Sequence, residues 1–244
     1  MTADGWTRAV RDRLVVGRLL PLGEPRDGAW ITEEAAQAVL RRAVRGLPGV
    51  RLGPLRIAVA DPEGAYEPVV PPPPSALPPG PLRVSADCAA TAAEPLPATA
   101  ARLRTALATA AAERLGLVVA EVDLRVTALL DAVDAEDAEP ERAERVHGPR
   151  PSEAAGEGEG DAARVAAAAL SVPGVAALTD LLGRAVHVEE RQGGGTALPR
   201  RHARVEIAVA ADHRALDVAR EVRGVVSGAL RDQPTVAVLV TSVG

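Results

Sequence analysis

The sequence predicts an α+β protein made of two tandem two-layer sandwich modules, each running helix, strand, strand, helix, strand. Three observations carry this. A helical segment closed by Pro-Gly-Val occurs twice, at Leu47-Pro48-Gly49-Val50 and at Val172-Pro173-Gly174-Val175. After each stop come short runs of alternating apolar residues, the period of a strand, and then an amphipathic helix and a last strand. Between the two copies, Asp131 to Gly160 holds ten acids against three arginines and ends in Gly-Glu-Gly-Glu-Gly. With so few large apolar side chains that stretch cannot repay its ordering entropy, so it reads as a disordered linker over 131–160.

Within the first module, 28–130, Ala29-Trp30-Ile31 reads as a short leading strand that adds a fourth strand to this half. Thr32 and the acids Glu33 and Glu34 are N-terminal helix signals, and the helix runs over Thr32 to Arg45. Leu55, Ile57 and Val59 alternate as a strand, and Leu82 to Ala86 reads as its partner. The connection, Pro68 to Pro81, contains Pro71 to Pro74; it favours polyproline II and cannot sit inside a sheet, so it predicts a projecting loop. Pro97 to Leu115 repeats Leu103 and Leu107 among alanines, a helix with one apolar stripe, and Val122 to Thr127 closes the module as a half-exposed strand.

The second module, 161–244, is shorter and has no leading strand. Its helices are Ala162 to Leu170 and Ala215 to Leu230; its strands lie at Val186 and Val188, at Ala203 to Ile207, and at Val236 to Thr241, the last apolar on both faces. Gly193-Gly194-Gly195 reads as a hairpin loop, since no Gly-Lys-Ser/Thr and no helix follow it. Phe is absent and only Trp6, Trp30 and Tyr66 are aromatic, so the core is Ala, Val and Leu. Segment 1–27 reads as amphipathic: Trp6, Val10, Leu14 and Leu20 share a helical face opposite Arg8, Arg11 and Arg18, a pattern that suits a membrane surface or a partner's groove. The exposed edge expected for Val236 to Thr241 offers a route to sheet-to-sheet association.

Charge and cysteine content narrow the function. A net charge of −5 and three aromatics argue against a nucleic-acid partner. Cys88 is the only cysteine, which excludes an intramolecular disulfide and a cysteine-based metal cluster and suits a reducing cytoplasm. No signal peptide or transmembrane segment is read. Cys88 beside Asp87 lacks a nearby His to activate it and reads as a packed apolar residue. His187 and Glu189 share a strand face, with His202 and His213 flanking the next strand; a solvated sheet edge accounts for them, and His213 and Asp217 read as a helix cap and first-turn charge. No catalytic, cofactor-binding or metal residue is assigned. Two rival functions remain: a small-molecule or metal-binding regulatory domain using His187, Glu189 and His202, and nucleic-acid binding through Arg200, Arg201, Arg204, Arg220 and Arg223.

The order of elements resembles the alkaline shock protein and Gls-type general stress family of Gram-positive bacteria, also called envelope stress response proteins. The resemblance rests on Gly28 to Thr32 leading into Ala35 to Ala43, on the stop Leu47 to Val50, on the strands Leu82 to Ala86 and Val122 to Thr127, and in the second copy on Val172 to Val175, Val205 to Val209 and Val236 to Thr241. It covers about two thirds of the chain, as a diverged two-copy member; the Arg, Ala, Pro and Gly bias reads as GC-rich codon usage of the actinobacterial kind. The resemblance implies a non-enzymatic stress-response scaffold without a cofactor. It implies a cytoplasmic protein, peripheral at the inner face of the membrane, that binds itself or related family members and a small membrane-anchored partner.

Overall fold

The computed structural model describes residues 17–131, 160–191 and 200–244. The expected amphipathic helix falls mostly on residues before 17, and the acidic linker and the glycine loop fall on 132–159 and 192–199, so these expectations lie outside the described residues. Over the rest the protein is α+β, with four helices and nine strands in two sheets.

Both halves contain the expected elements in the expected order, each with one strand more, Leu19–Pro21 in the first and Val175–Leu178 in the second. The first contains β1 (Leu19–Pro21), β2 (Ala29–Thr32), α1 (Glu33–Val44), β3 (Val50–Val59), β4 (Leu82–Thr91), α2 (Leu96–Ala110) and β5 (Val119–Leu130). The second contains α3 (Asp161–Leu170), β6 (Val175–Leu178), β7 (Val186–Arg191), β8 (Arg200–Val209), α4 (Ala215–Ala229) and β9 (Thr235–Val243). Helix α1 starts where its signals place it: the Thr32 hydroxyl accepts from the Ala35 N–H at 3.2 Å, Glu33 and Glu34 occupy the first turn, and Arg41 and Arg42 the last. Its buried stripe is Ala35, Ala36, Val39, Leu40 and Val44.

The repeated Pro-Gly stop does the same work in both copies. Gly49 and Gly174 have φ of +69° and +89°, a region that suits glycine, and a Cβ would meet Thr91 Oγ1 at 2.6 Å in one case and the His213 ring at 2.7 Å in the other. The carbonyl of each glycine then accepts an N–H from the end of its own half's middle strand, Thr91 to Gly49 and Ala210 to Gly174, both at 2.9 Å.

Strand pairing corrects three expectations. The leading strand β2 does not join the first half. It lies parallel to β9 of the second, with Trp30 opposite Leu239 and Ile31 opposite Val240. One sheet therefore runs β1-β2-β9-β8-β6, with β7 also on β8, and the other runs β3-β4-β5. The reason is that β2 is apolar on both faces and needs a sheet covered on both sides. Ile31 enters the main core, while Trp30 packs on the opposite face with Leu19, Val70, Ala237 and Leu239. Strand β5, whose outward residues include Asp123 and Arg125, offers no such face.

Strand β9 is consequently no edge: it is central between β2 and β8, and Val236 to Val240 are all buried. Nor does the proline-rich segment project. Proline keeps it out of the sheet but not off its surface: Leu77 N–H donates to the Leu19 carbonyl at 2.8 Å, the Trp30 indole donates to the Leu77 carbonyl at 3.4 Å, and Val70 is buried. Leu20, placed on an amphipathic helical face by the sequence, lies in the buried strand β1 instead, beside Leu19.

The halves share one core, a single apolar cluster with residues of α1, α2, β3 and β4 beside those of α3, α4, β8 and β9. Polar clamps reinforce the junction. Arg220 on α4 grips Asp27 with two hydrogen bonds of 2.9 Å, Arg223 donates to the Arg26 carbonyl, and the Thr32 hydroxyl donates to the Thr241 carbonyl at 3.2 Å.

Candidate functional site

On β8 the side chains alternate: Ala203, Val205 and Ile207 face the helices, while His202, Arg204 and Glu206 line the outer face. Glu206 is fully buried and accepts the Leu182 N–H at 3.1 Å, with Arg204 Nη2 at 3.4 Å. Burial outweighs those contacts and pushes its carboxyl up to about 7. His202 is 5% exposed and bonds through Nδ1 to the Thr235 hydroxyl at 2.9 Å. Burial, aided by the nearby Arg191 and Arg204 charges, brings it down to about 4, so its imidazole is neutral at neutral pH. Perturbed groups of this kind mark active sites only when a cleft reaches them. Glu206 has no exposed surface and His202 is 5% exposed, so among the described residues the row serves the packing of the sheet.

The other sequence candidates form no common site among the described residues. His187 pairs with Glu189 at 3.3 Å, and Glu189 stands opposite His202 in the β7–β8 ladder, so these three are neighbours as the strand pattern implied. His202 is spoken for by Thr235. Among the described residues no three His, Cys, Asp or Glu side chains converge as a metal site would require. His213 does not cap α4. It pairs with Asp212 at 2.8 Å, the N-cap is Arg214 without a side-chain bond, and Asp217 pairs with Arg214 at 3.1 Å. Cys88 is buried on β4, its thiol pushed up by burial and then by the Asp87 charge, the reverse of what a nucleophile needs. The arginines proposed as a basic face are mostly engaged with acids: Arg201 with Asp161 at 2.6 Å and Asp232 at 3.4 Å, Arg204 with Glu206, and Arg220 with Asp27.

What remains open is the sheet β3-β4-β5. Its outer face is charged and laced across the strands, Arg83 to Glu121 at 2.6 Å and Arg125 to Asp87 by two bonds of 2.9 Å. A shallow hollow of about 350 Å³ there is lined by Pro54, Arg56, Ser85, Asp87, Asp123 and Arg125. The sheet edges are treated unequally. The β1 edge is covered by the proline-rich segment, through Leu77 to Leu19 and Leu19 to Ser75. The β3 edge is capped by α1: Gln37 donates to the Leu55 carbonyl at 2.9 Å, Arg41 to the Gly53 carbonyl at 2.9 Å, and Glu33 accepts the Ile57 N–H at 3.1 Å.

Strand β5 is the longest, at 12 residues, and most of it is exposed. Helix α2 sends Arg104 to its Val122 carbonyl at 3.1 Å. Sequence reasoning missed this site because it placed the open edge on β9. The usable signal was the pattern itself, since a strand apolar on both faces belongs inside a covered sheet and a half-polar one at its margin.

No helix among the described residues is long and apolar enough to cross a membrane. No family model matches the chain, and neither the curated proteins nor the solved structures give a significant match to it.

Proposed function

We propose that the protein is a non-catalytic scaffold or adaptor of the envelope stress response kind, cytoplasmic and peripheral at the inner face of the membrane. It associates with itself or with related chains and is held by a small membrane-anchored partner. The observation that supports this best is the contrast between the two sheets. At β9 the fold accepts a strand from the other half, whereas no strand among the described residues pairs with the long outer edge of the corresponding strand β5. An edge of that length ordinarily takes up a further strand. The buried state of Cys88, Glu206 and His202 agrees with a role that needs no reacting group at the surface.

The test is sedimentation with membranes after gentle lysis of the native host, comparing the full chain with one lacking residues 1–16. That truncation stops short of Leu19 and Leu20, which β1 needs. Recovery of the full chain with membranes is the expected result, and loss of sedimentation on truncation would place the attachment in the first sixteen residues. A fully soluble, monodisperse full chain in that lysate would overturn the proposal.

A further inference from the structure

We infer that the edge of β5 left unpaired among the described residues binds the same edge of a second copy of this chain, antiparallel about a two-fold axis at Leu124, joining two three-stranded sheets into one of six. This rests on the scaffold reading above and names the surface that self-association uses.

The backbone parity fits. The Leu82 N–H bonds the Val118 carbonyl, and the bulge between Leu82 and Arg83 then shifts the ladder so that Glu121, Asp123 and Arg125 turn their peptide groups toward β4. Val122, Leu124 and Val126 therefore present N–H and C=O on the free side, in keeping with the Arg104 guanidinium found at the Val122 carbonyl. A two-fold axis at Leu124 sets Val122 against Val126 of the second copy and Leu124 against Leu124. Every outward peptide group then meets another. The Arg104 contact, an exposed one, gives way to a backbone N–H.

The side chains fit in that same register, because Val119 to Leu129 is close to a palindrome in chemical type. Asp123 faces Arg125 of the second copy and Arg125 faces Asp123, so opposite charges meet twice on the outer face, while Glu121 faces Thr127. On the helix side apolar faces apolar. Three of the large exposed hydrophobics lie on or beside this strand: Val118 at 44%, Val126 at 37% and Leu129 at 65%. Each gains an apolar mate, respectively Leu130, Val122 and Val119. Sliding the axis to residue 125 keeps the peptide parity but puts Arg125 on Arg125, and sliding it to 123 sets Glu121 against Arg125 but puts Asp123 on Asp123 at the axis itself. Only the axis at Leu124 leaves no like charges directly opposed.

The experiment uses the full chain and measures its mass in solution over a range of concentrations. The parent should reach twice its 25.1 kDa. Asp123→Arg alone sets Arg on Arg, and Arg125→Asp alone sets Asp on Asp, so each should raise the concentration needed for dimerisation by roughly tenfold or more. An equimolar mixture of the two restores both opposite pairs and should recover the dimer. That recovery also shows that both variants are folded. A parent that stays monomeric would overturn the inference, and so would variants that dimerise alone as well as the parent, or a mixture that fails to recover. In the second case self-association survives on another surface and the scaffold reading stands. Membrane sedimentation reports on that reading separately.

Discussion

Two buried groups on β8 titrate in opposite senses, so removing either one should expose the other. Glu206 is held at about 7 in the folded chain against an ordinary 4.5, so between these values the folded state holds a proton that the unfolded chain has released. Stability then falls as pH rises through that window, by about 3 kcal/mol at about 1.4 kcal/mol per pH unit. His202 is the mirror case, at about 4 against an ordinary 6.5. Between those values the unfolded chain holds the proton, and stability rises with pH by about 3 kcal/mol. Neither figure is diluted by solvent, since the side chains are 0% and 5% exposed.

From pH 4.5 to 6.5 the two slopes cancel, and these groups leave the parent nearly level. Glu206→Gln should convert the level stretch into a rise of about 3 kcal/mol that flattens above pH 6.5. His202→Gln, which keeps a partner for the Thr235 hydroxyl, should convert it into a fall of similar size that ends near pH 7. Urea unfolding at four pH values between 4.5 and 7.5, read as the difference between variant and parent, measures both. Two variants with the parent's own pH profile would refute the reasoning.

Two further outcomes follow from the same geometry. Burial raises the Asp27 carboxyl, but the Arg220 hydrogen bonds and the Glu24 N–H outweigh it and hold the group below its ordinary 3.8. Its contribution is therefore present above pH 3.8 and lost as pH falls below that value. Asp27→Ala should cost roughly 1 to 2 kcal/mol by removing the hydrogen bonds from Arg220 and the Glu24 N–H, the half-exposed Arg220 being solvated in their absence, and less in a chain already carrying Arg220→Met, as a double-mutant cycle in urea would show. Val238→Pro removes the N–H that donates to the Gly28 carbonyl at 3.0 Å in the middle of a six-stranded sheet. It should cost about 3 kcal/mol or more and register as loss of folding in circular dichroism, with no folded monomer left behind.

Much of the architecture was legible because its signals are local. Thr32 with Glu33 and Glu34 announces α1, the two Pro-Gly stops announce the duplication, and Leu103 with Leu107 announces the stripe of α2. What escaped is decided at long range. Nothing within Ala29 to Thr32 says which half supplies its partner; Trp30 chooses the sheet whose outer face has a cover, and that cover is the proline-rich segment from elsewhere in the chain. Strands β1 and β6 have 3 and 4 residues and are fixed by their neighbours, too short for a period to register. At the sheet edges the same division holds. The acids and arginines of β5 show in the sequence, but the cover given to the β1 and β3 edges depends on where residues 68–81 and α1 come to rest.

The parallel pairing of β2 with β9 also sets a clock on synthesis. Thr32 and its partner Thr241 are 209 residues apart, and at 5 to 20 residues per second roughly 10 to 40 seconds separate their appearance at the ribosome. During that wait residues 50–130 are already made, while Trp30 and Ile31 can pair only with β1, and the other edge of β2 stays open until β9 arrives. Strand β9 is thus the one that closes the open edge of β2, and a nascent chain broken off before Thr235 would lack Ala237 and Leu239 beside Trp30 and present that edge for quality control to recognise.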